Sequence, residues 1–276
     1  MNSIFNRIVS ALSDAGIASP RMEARMICAF VCGNSCSVCP DDGEISQAQE
    51  EQIVALTERR RAHEPLDKIL GSREFYKFRF AVNQNVLSPR PDSEILVEQA
   101  LLLAQKYGLR HLFEFGVGSG CLLLSVLADL PTAEGVGIDK SAKALEIAER
   151  NRECLGLGER ARLCLSDYMQ QDISGSYDLI LANPPYIPSA EIATLDTEVR
   201  NYDPLMALDG GADGLDHYRR LAELVPHMLQ SGGFVLLEAG QGQADDIADI
   251  FMAAGLVLVQ KCLDLAGIER CVILKK

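Results

Sequence analysis

Four consecutive residues, Asn183-Pro184-Pro185-Tyr186, form a pattern suited to holding a planar NH₂ group. Two prolines fix the backbone and remove two N–H donors, so the carbonyl of Pro184 can face a ligand. That carbonyl and the Asn183 side-chain oxygen can accept both hydrogens of an NH₂ group, while Tyr186 supplies a flat face. Two acceptors return electron density to a delocalised amide nitrogen and orient its lone pair toward an electrophile. The motif predicts Asn183, Pro184 and Tyr186 as catalytic and Asn183 to Tyr186 as the acceptor site; the alternative is an ordinary proline-rich loop.

A glycine-rich turn lies upstream, within Glu114 to Gly120. Glycine allows positive φ and close approach of the backbone to a ligand, and the N-terminus of the following helix offers free N–H groups to a carboxylate. The glycines stand at the first, third and fifth positions, which resembles class I methyltransferases rather than the G-x-G-x-x-G of dinucleotide enzymes. The alternative is a merely tight strand-to-helix turn. The residues predicted to contact a cofactor are Gly116, Val117, Gly118, Ser119 and Gly120.

Three further residues indicate an adenosine ligand. Asp139 ends the next predicted strand, where a carboxylate can accept hydrogen bonds from both ribose hydroxyls. Asp167 and Tyr168 follow the strand after that, at positions where class I methyltransferases often carry an acid and an aromatic residue beside the adenine. The alternatives are an acidic residue at a helix N-terminus for Asp139 and ordinary loop residues for the other two.

The apolar spacing predicts helices before residue 70 and alternating helices and strands from Ile95 onward. Between them, Phe75 to Val82 followed by Asn83-Gln84-Asn85 and Val86-Leu87 predicts a β-hairpin that turns at the asparagines. Near-continuous apolar strands alternating with helices indicate an open, mostly parallel sheet that binds ligands beyond its carboxyl ends. The predicted strands are His111–Phe115, Gly135–Asp139, Arg162–Leu165, Asp178–Ala182, Gly233–Glu238, Leu256–Val259 and Arg270–Leu274.

The domain division that follows has three parts. Residues 1–73 are predicted to form a helical substrate-recognition domain, residues 74–94 a β-hairpin linker, and residues 95–276 the methyltransferase domain. With 48% hydrophobic residues, the chain of 276 residues is long enough for one large core and a smaller satellite.

The charge balance bears on possible partners. The formal net charge is -13, and Arg59-Arg60-Arg61 is the only dense basic run in the sequence. Proteins that follow a phosphate backbone usually present a basic patch, so long nucleic acid is disfavoured as the substrate. The sequence has neither a long apolar span nor a secretory signal pattern at its start. The expectation is therefore a cytoplasmic protein without a membrane partner.

Nine cysteines raise the question of a metal. Cys28, Cys32, Cys36 and Cys39 have loosely zinc-like spacing. However, the first two lie in an apolar run at helical spacing, where cysteine behaves as a small buried hydrophobe. No second C-x-x-C pair accompanies them, so we expect free thiols and no metal.

Further segments resemble the peptide chain release factor N5-glutamine methyltransferase family. Pro89-Arg90-Pro91-Asp92-Ser93-Glu94 is similar to the family's P-R-P-[DE]-T-E signature. The resemblance covers nearly the whole chain and is more specific than a glycine-rich turn. The other segments that carry it are Arg60-Arg61, Glu64-Pro65-Leu66, Ile69-Leu70-Gly71, Glu74-Phe75, Gly211 to Asp216 and Leu265 to Arg270.

The resemblance implies an α/β fold: a class I (Rossmann-like) seven-stranded methyltransferase sheet with a small N-terminal helical domain and a β-hairpin linker. It implies S-adenosylmethionine as cofactor and S-adenosylhomocysteine as product. The implied substrate is the glutamine of the Gly-Gly-Gln motif in class I release factors, with no direct nucleic-acid partner and a monomer when free. Gly116 to Gly120, Asp139, Tyr168 and Asn183 would contact the cofactor, and Asn183 to Tyr186 would hold the glutamine.

The chain departs from the family pattern in several places. Glu114 stands where the family usually has Asp, and Val117 where it usually has Thr. Ser88 and Ser93 replace the commoner Ile and Thr, and the chain has no Trp for the adenine. A longer carboxylate at Glu114 bears on cofactor affinity more than on the type of reaction.

Three other functions remain open from the sequence. A sister enzyme methylates glutamine in a large-subunit ribosomal protein, but that group resembles P-R-S-P where this chain has Pro89-Arg90-Pro91-Asp92. An amino-methyltransferase for adenine or guanine in nucleic acid also uses such motifs, against which the net charge of -13 weighs. A non-enzymatic adaptor would leave the complete motif set unexplained.

Overall fold

The computed structural model describes residues 4–33 and 45–276. The chain divides into two compact units, Met1–Ser72 with Asp196–Tyr202, and Arg73–Leu195 with Asp203–Lys276. The segment Asp196–Tyr202 therefore belongs to the helical unit although it lies far along the chain. The division into 1–73, 74–94 and 95–276 stays a prediction.

The secondary structure elements take the following bounds. The helices are α1 (Ile4–Asp14), α2 (Pro20–Cys32), α3 (Gln47–Arg61), α4 (Leu66–Leu70), α5 (Glu94–Tyr107), α6 (Cys121–Asp129), α7 (Ala142–Cys154), α8 (Thr197–Tyr202), α9 (Asp216–Met228) and α10 (Ala244–Ala253). The strands are β1 (Ser72–Phe75), β2 (Phe78–Ala81), β3 (His111–Phe115), β4 (Glu134–Asp139), β5 (Ala161–Leu165), β6 (Tyr177–Ala182), β7 (Leu229–Glu238), β8 (Val257–Leu263) and β9 (Glu269–Lys275).

The helical unit is built on the apolar face of α1, where Ile4, Ile8 and Leu12 are buried at i, i+4 spacing. Ser46 begins α3 with a capping box: its side chain accepts from the Gln49 amide, and the Gln49 side chain accepts from the Ser46 amide. No helix among residues 4–33 and 45–276 has the length and apolar character that a membrane span requires.

The second unit contains a sheet that, among the described residues, has seven strands in the order β5-β4-β3-β6-β7-β9-β8. The first five strands of that order run parallel, while β9 pairs antiparallel with both β7 and β8. Two apolar clusters pack against the sheet, one containing α9 and α10 residues and the other α5 and α6 residues. Burial on both faces explains the near-continuous apolar strands. The predicted fold class is confirmed.

The predicted hairpin exists, but the predicted turn was wrong. The strands β1 and β2 pair with each other and are joined at Tyr76-Lys77, not at Asn83-Gln84-Asn85. Tyr76 adopts a positive φ of 55°, and its amide donates to Glu94 Oε1 at 2.9 Å. The Asn83 side chain instead accepts from the Asn85 amide and forms a local turn outside the hairpin. A tertiary contact thus selected a turn position for which Tyr76 has no intrinsic preference.

Candidate active site

The predicted motifs meet at one edge of the sheet because their strands are parallel neighbours. Phe115 pairs with Ile138 on one side and with Ala182 on the other, and Asp139 pairs with Leu165. The loops after β3, β4, β5 and β6 therefore leave the sheet side by side. This edge is where open α/β sheets bind ligands.

A cleft of about 950 Å³, including the solvent at its mouth, lies at this edge. Its position, beyond the carboxyl ends of the parallel strands, makes it the candidate cofactor site. Gly120 and Tyr186 are absent from its wall, unlike the other predicted site residues. The predicted residues in the wall are Gly116, Val117, Gly118, Ser119, Asp139, Asp167, Tyr168, Asn183, Pro184 and Pro185.

The glycine turn owes its shape to positive φ angles of 68° at Gly116, 55° at Gly118 and 84° at Gly120. Only glycine adopts this region without steric cost. Gly120 acts from behind the wall: it is the N-cap of α6, and an added Cβ would lie 2.6 Å from Leu124 Cδ1. Gly120 therefore allows α6 to begin in close contact with Leu124, while Gly116 and Gly118 place backbone at the cleft.

Asp139 is tied to the glycine turn. Its Oδ2 accepts from the Gly118 amide at 2.9 Å, and its Oδ1 accepts from the Ser141 amide at 2.8 Å. Burial raises the pKa of Asp139, and these two hydrogen bonds act in the opposite direction. Each carboxylate oxygen keeps lone pairs for a further donor. The arrangement leaves Asp139 able to accept two hydroxyl groups.

Glu114 is a second carboxylate in the cleft wall. It was not predicted as a site residue and was noted only as a departure from the family pattern. The side chain is 2% exposed, and its Oε2 accepts from the Leu123 amide at 3.0 Å. Burial raises the pKa of Glu114 well above its usual range, and the neighbouring charge of Asp139 adds to this effect. A cationic ligand in the cleft would favour the ionised form.

Tyr168 packs into the floor of the cleft rather than standing free at its rim. Its ring meets Phe115 edge-on, with centroids 5.3 Å apart, and its hydroxyl lies 2.7 Å from His217 Nδ1. Burial raises the pKa of Tyr168 and lowers that of His217, so both are neutral near pH 7. The two neutral groups share one hydrogen bond, whose donor depends on which imidazole nitrogen carries the proton. Asp167 lies beside this pair, with its Oδ1 accepting from the Met169 amide at 3.0 Å.

The Asn183-Pro184-Pro185-Tyr186 segment is held firmly from behind. Gln243 Nε2 donates to the Tyr186 carbonyl at 3.0 Å, and the Gly240 amide donates to Gln243 Oε1 at 3.1 Å. An added Cβ on Gly210 would lie 2.8 Å from Tyr186 Cα, and one on Gly214 would overlap the Tyr186 carbonyl oxygen. Only glycine allows this approach. The Tyr186 side chain is not part of the cleft wall; it packs against the apolar cluster that contains α9 and α10 residues, and burial raises its pKa.

Several residues at or beside the cleft were not predicted as site residues, although Arg90 and Ser93 belong to the Pro89 to Glu94 segment that indicated the family. His217 and Arg90 line the cleft, and Arg90 makes a 3.0 Å ion pair with the buried Asp203. Ser93 accepts from Asn183 Nδ2 at 3.4 Å, and Glu238 is buried beside both. His217 and Glu238 are separated from the motifs by long stretches of chain. Only the helix and strand that carry them bring them to the cleft.

The four cysteines with loosely zinc-like spacing lie partly outside the described residues, because Cys36 and Cys39 fall in the range 34–44. Cys28 is buried in the helical core, and Cys32 is half-buried nearby in the same helix. In the described part of the chain, no group of three or more His, Cys, Asp or Glu side chains is placed to hold a metal.

Known protein families match parts of both the helical unit and the unit that contains the sheet. The PrmC N-terminal domain model matches residues 3–71, and the methyltransferase small domain model matches residues 91–198. A release factor glutamine methyltransferase from Rhodospirillum rubrum is 42% identical, over 100% of this chain and 85% of the relative. The release factor glutamine methyltransferase from Caulobacter vibrioides is 40% identical, over 95% of this chain and 91% of the relative. The one from Bradyrhizobium diazoefficiens is 44% identical, over 84% of this chain and 79% of the relative. The chain belongs to the release factor glutamine methyltransferase family.

Proposed function

We propose that this chain transfers a methyl group from S-adenosylmethionine to the side-chain amide nitrogen, N5, of the glutamine in the Gly-Gly-Gln motif of class I peptide chain release factors. The observation that carries the proposal is that Asn183 and Pro184 line the same cleft as the glycine turn and Asp139. Membership of a family whose relatives are named release factor glutamine methyltransferases supports the choice of substrate.

The polar groups of the cleft fit an adenosine that carries a cationic amino-acid tail. Asp139 has lone pairs free for ribose hydroxyls, and Asp167 can accept from an adenine amino group. The buried Glu114 carboxyl suits a neighbouring positive charge. Gly116 to Gly120 with Val117 and Ser119 shape the backbone around the tail, and Tyr168 offers an apolar ring face. S-adenosylmethionine, when bound, supplies an electrophilic methyl group on a sulfonium sulfur.

The acceptor half of the reaction depends on Asn183 and Pro184. The Asn183 Oδ1 and the Pro184 carbonyl each accept one hydrogen of the glutamine NH₂ group, which restores nucleophilic character to the nitrogen and aims its lone pair. The nitrogen gains the methyl group as the bond between that carbon and the sulfonium sulfur breaks, and it loses one proton to water. Pro185 fixes the backbone between them. Tyr186, whose carbonyl accepts from Gln243, keeps the loop in place.

The test combines the purified chain and methyl-labelled S-adenosylmethionine with four separate substrates: a class I release factor, large-subunit ribosomal proteins, RNA and DNA. We expect label on the release factor, at the motif glutamine when the labelled peptide is sequenced by mass spectrometry. A release factor in which that glutamine is replaced by alanine is the matched control and should stay unlabelled. Label on ribosomal protein or nucleic acid, with none on the release factor, would refute the proposal.

We also propose a role for each part of the chain and a state for the free enzyme. The helical residues 1–73 recognise the release factor, residues 74–94 link them to the methyltransferase domain 95–276, and the free enzyme is a cytoplasmic monomer. The family match over residues 3–71 supports a distinct role for the helical part. Light scattering of the free protein, and binding of the release factor to a chain with substitutions on the helical unit, test these points.

A further inference from the structure

Glu238 is a buried carboxylate that the reaction described above does not use. It is 1% exposed at the end of β7, and its Oε2 has no hydrogen-bond partner among the described residues. Strands β6 and β7 are parallel with Ala182 opposite Leu237, so Asn183 and Glu238 come next at the same edge of the sheet. Buried polar atoms without partners are rare because they lose hydration without compensation. Glu238 therefore calls for an explanation beyond packing.

Ser93 links Glu238 to the acceptor site. Asn183 Nδ2 donates to Ser93 Oγ at 3.4 Å. Both residues lie beside the Glu238 carboxyl, and hydrogen bonding from them lowers its pKa. A carboxylate only accepts, and a serine hydroxyl has a single hydrogen. Ser93 must then donate to Glu238 and accept from Asn183. The donor of each hydrogen bond is then fixed. The Asn183 NH₂ group faces Ser93 and Glu238, and the Asn183 Oδ1 faces the opposite way.

We propose that Glu238, directly and through Ser93, is a positioning residue that keeps the Asn183 amide from rotating by half a turn. A rotated Asn183 amide would present its N–H donors to the substrate NH₂ group, and two donors cannot form a hydrogen bond with each other. The inference rests on the proposed function, because it concerns the oxygen that holds the substrate nitrogen. A positioning group of this kind acts on turnover rather than on cofactor binding.

The selection of one amide orientation requires ionised Glu238. Burial raises the pKa of Glu238 to about 7, although the hydrogen bond from Ser93 and the positive charge of Arg270 lower it. Asp92 also faces it and raises its pKa by charge repulsion. The remaining titratable groups around it have pKa values raised chiefly by burial or by a neighbouring thiol, and stay neutral near pH 7: Tyr186, Tyr218, Cys121 and Cys271.

A protonated Glu238 can donate a hydrogen bond to Asn183 Oδ1, so it permits the rotated amide. The active orientation should then be lost as the pH falls through the pKa of Glu238. Turnover is expected to decline below about pH 7, the value to which burial raises this carboxyl. The decline belongs to Glu238 and should disappear when the group can no longer ionise.

The first experiment measures methyl transfer to a release factor as a function of pH. We expect Glu238→Gln, which keeps the shape and removes the charge, to lower kcat by roughly 10- to 100-fold at pH 8, with KM for S-adenosylmethionine within about 2-fold. The decline of kcat below pH 7 should vanish. Glu98→Gln makes the same charge change on an exposed face of α5 and should keep both kcat and the decline. An unchanged decline in Glu238→Gln would overturn the proposal.

A second pair of variants tests Ser93. Ser93→Ala removes the link and should lower kcat about 10-fold, while Ser93→Thr, which keeps a hydroxyl, should recover most of that loss. Equal kcat for the two variants would contradict a role for the hydroxyl.

A final measurement needs no protein substrate. In ¹⁵N-labelled protein saturated with S-adenosylhomocysteine, the side-chain NH₂ signals of Asn183 are identified by their loss in Asn183→Ala. They should shift with a midpoint near pH 7 in the wild-type protein and stay constant in Glu238→Gln. Signals that do not titrate would refute the positioning role, whereas titrating signals in a protein that fails to methylate the release factor would refute the proposed function alone.

Discussion

Asn183 provides one of two proposed acceptors for the glutamine NH₂ group, from the end of a buried strand. Asn183→Ala removes that acceptor, and we expect kcat to fall by about 100-fold because the nitrogen is no longer aimed. The side chain is half-buried, donates to Ser93 at 3.4 Å and lies beside Glu238, so the free energy of unfolding should change by only about 1–2 kcal/mol. Methyl-transfer kinetics and urea denaturation measure the two effects. Wild-type turnover in this variant would rule out the two-acceptor mechanism.

Asp139 is the residue on which cofactor affinity should depend most clearly. Asp139→Asn replaces an acceptor oxygen by an NH₂ group, which cannot accept from the Gly118 or Ser141 amide or from a ribose hydroxyl. Hydrogen bonds to charged groups contribute about 1.5–3 kcal/mol, so we expect S-adenosylhomocysteine to bind roughly 10- to 100-fold more weakly. Isothermal titration calorimetry measures this.

The matched control for Asp139 is Asp249→Asn, an exposed position on α10. It makes the same chemical change away from the cleft and should leave the affinity as in the wild type. Equal affinities for the two variants would argue against a ribose contact at Asp139.

At the scale of elements, the loop that follows β6 is set by the glycines that back it. Gly214 has a φ of +78°, and an added Cβ would overlap the Tyr186 carbonyl oxygen. Gly214→Ala should therefore lower the free energy of unfolding by about 2–4 kcal/mol and also lower kcat, since the displaced segment carries Asn183. Urea denaturation and methyl-transfer kinetics check both.

Gly108 provides the comparison for Gly214. It has a φ of +70° at the end of α5, with nothing within 4 Å of an added Cβ. Gly108→Ala should cost only the backbone strain of about 1 kcal/mol and leave kcat alone. If both variants lost the same stability, crowding against Tyr186 would not be the cause.

At the scale of the whole molecule, Glu238 makes the stability of the protein depend on pH. Its pKa in the folded protein is about 7, against a usual value of 4.5. An acid whose pKa is raised by folding stabilises the folded state while protonated, and that contribution is lost as the pH rises from 4.5 through about 7. The group that we propose to need its charge for turnover thus reduces stability when it carries that charge.

The corresponding measurement is the difference in unfolding free energy between Glu238→Gln and the wild type at several pH values. This difference should increase by about 3 kcal/mol between pH 4.5 and about pH 8, because glutamine has no charge to bury. Glu98→Gln, at an exposed position, should run parallel to the wild type. A difference that does not vary with pH would contradict the burial argument.

The sequence by itself determined the features that depend on neighbours in the chain. Near-continuous apolar runs were sufficient for the inner strands β3, β6, β7 and β9, since burial on both faces requires such runs. The edge strand β8 is mostly exposed, and it extends to Leu263, beyond the predicted end at Val259. The glycine turn and Asn183-Pro184-Pro185-Tyr186 were recognisable because their backbone properties belong to the residues themselves. The family resemblance, confirmed by the relatives, came from further local segments such as Pro89 to Glu94.

Only the tertiary structure decided what depends on distant parts of the chain. It placed the hairpin turn at Tyr76-Lys77, where Glu94 accepts from the Tyr76 amide, and it packed Tyr186 against the apolar core outside the cleft wall. It also brought Glu238 to Asn183, through a strand register that no local pattern specifies. The physical reason is the same in each case: the burial and the hydrogen-bond partners of a side chain are set by packing between elements, which short-range spacing does not contain.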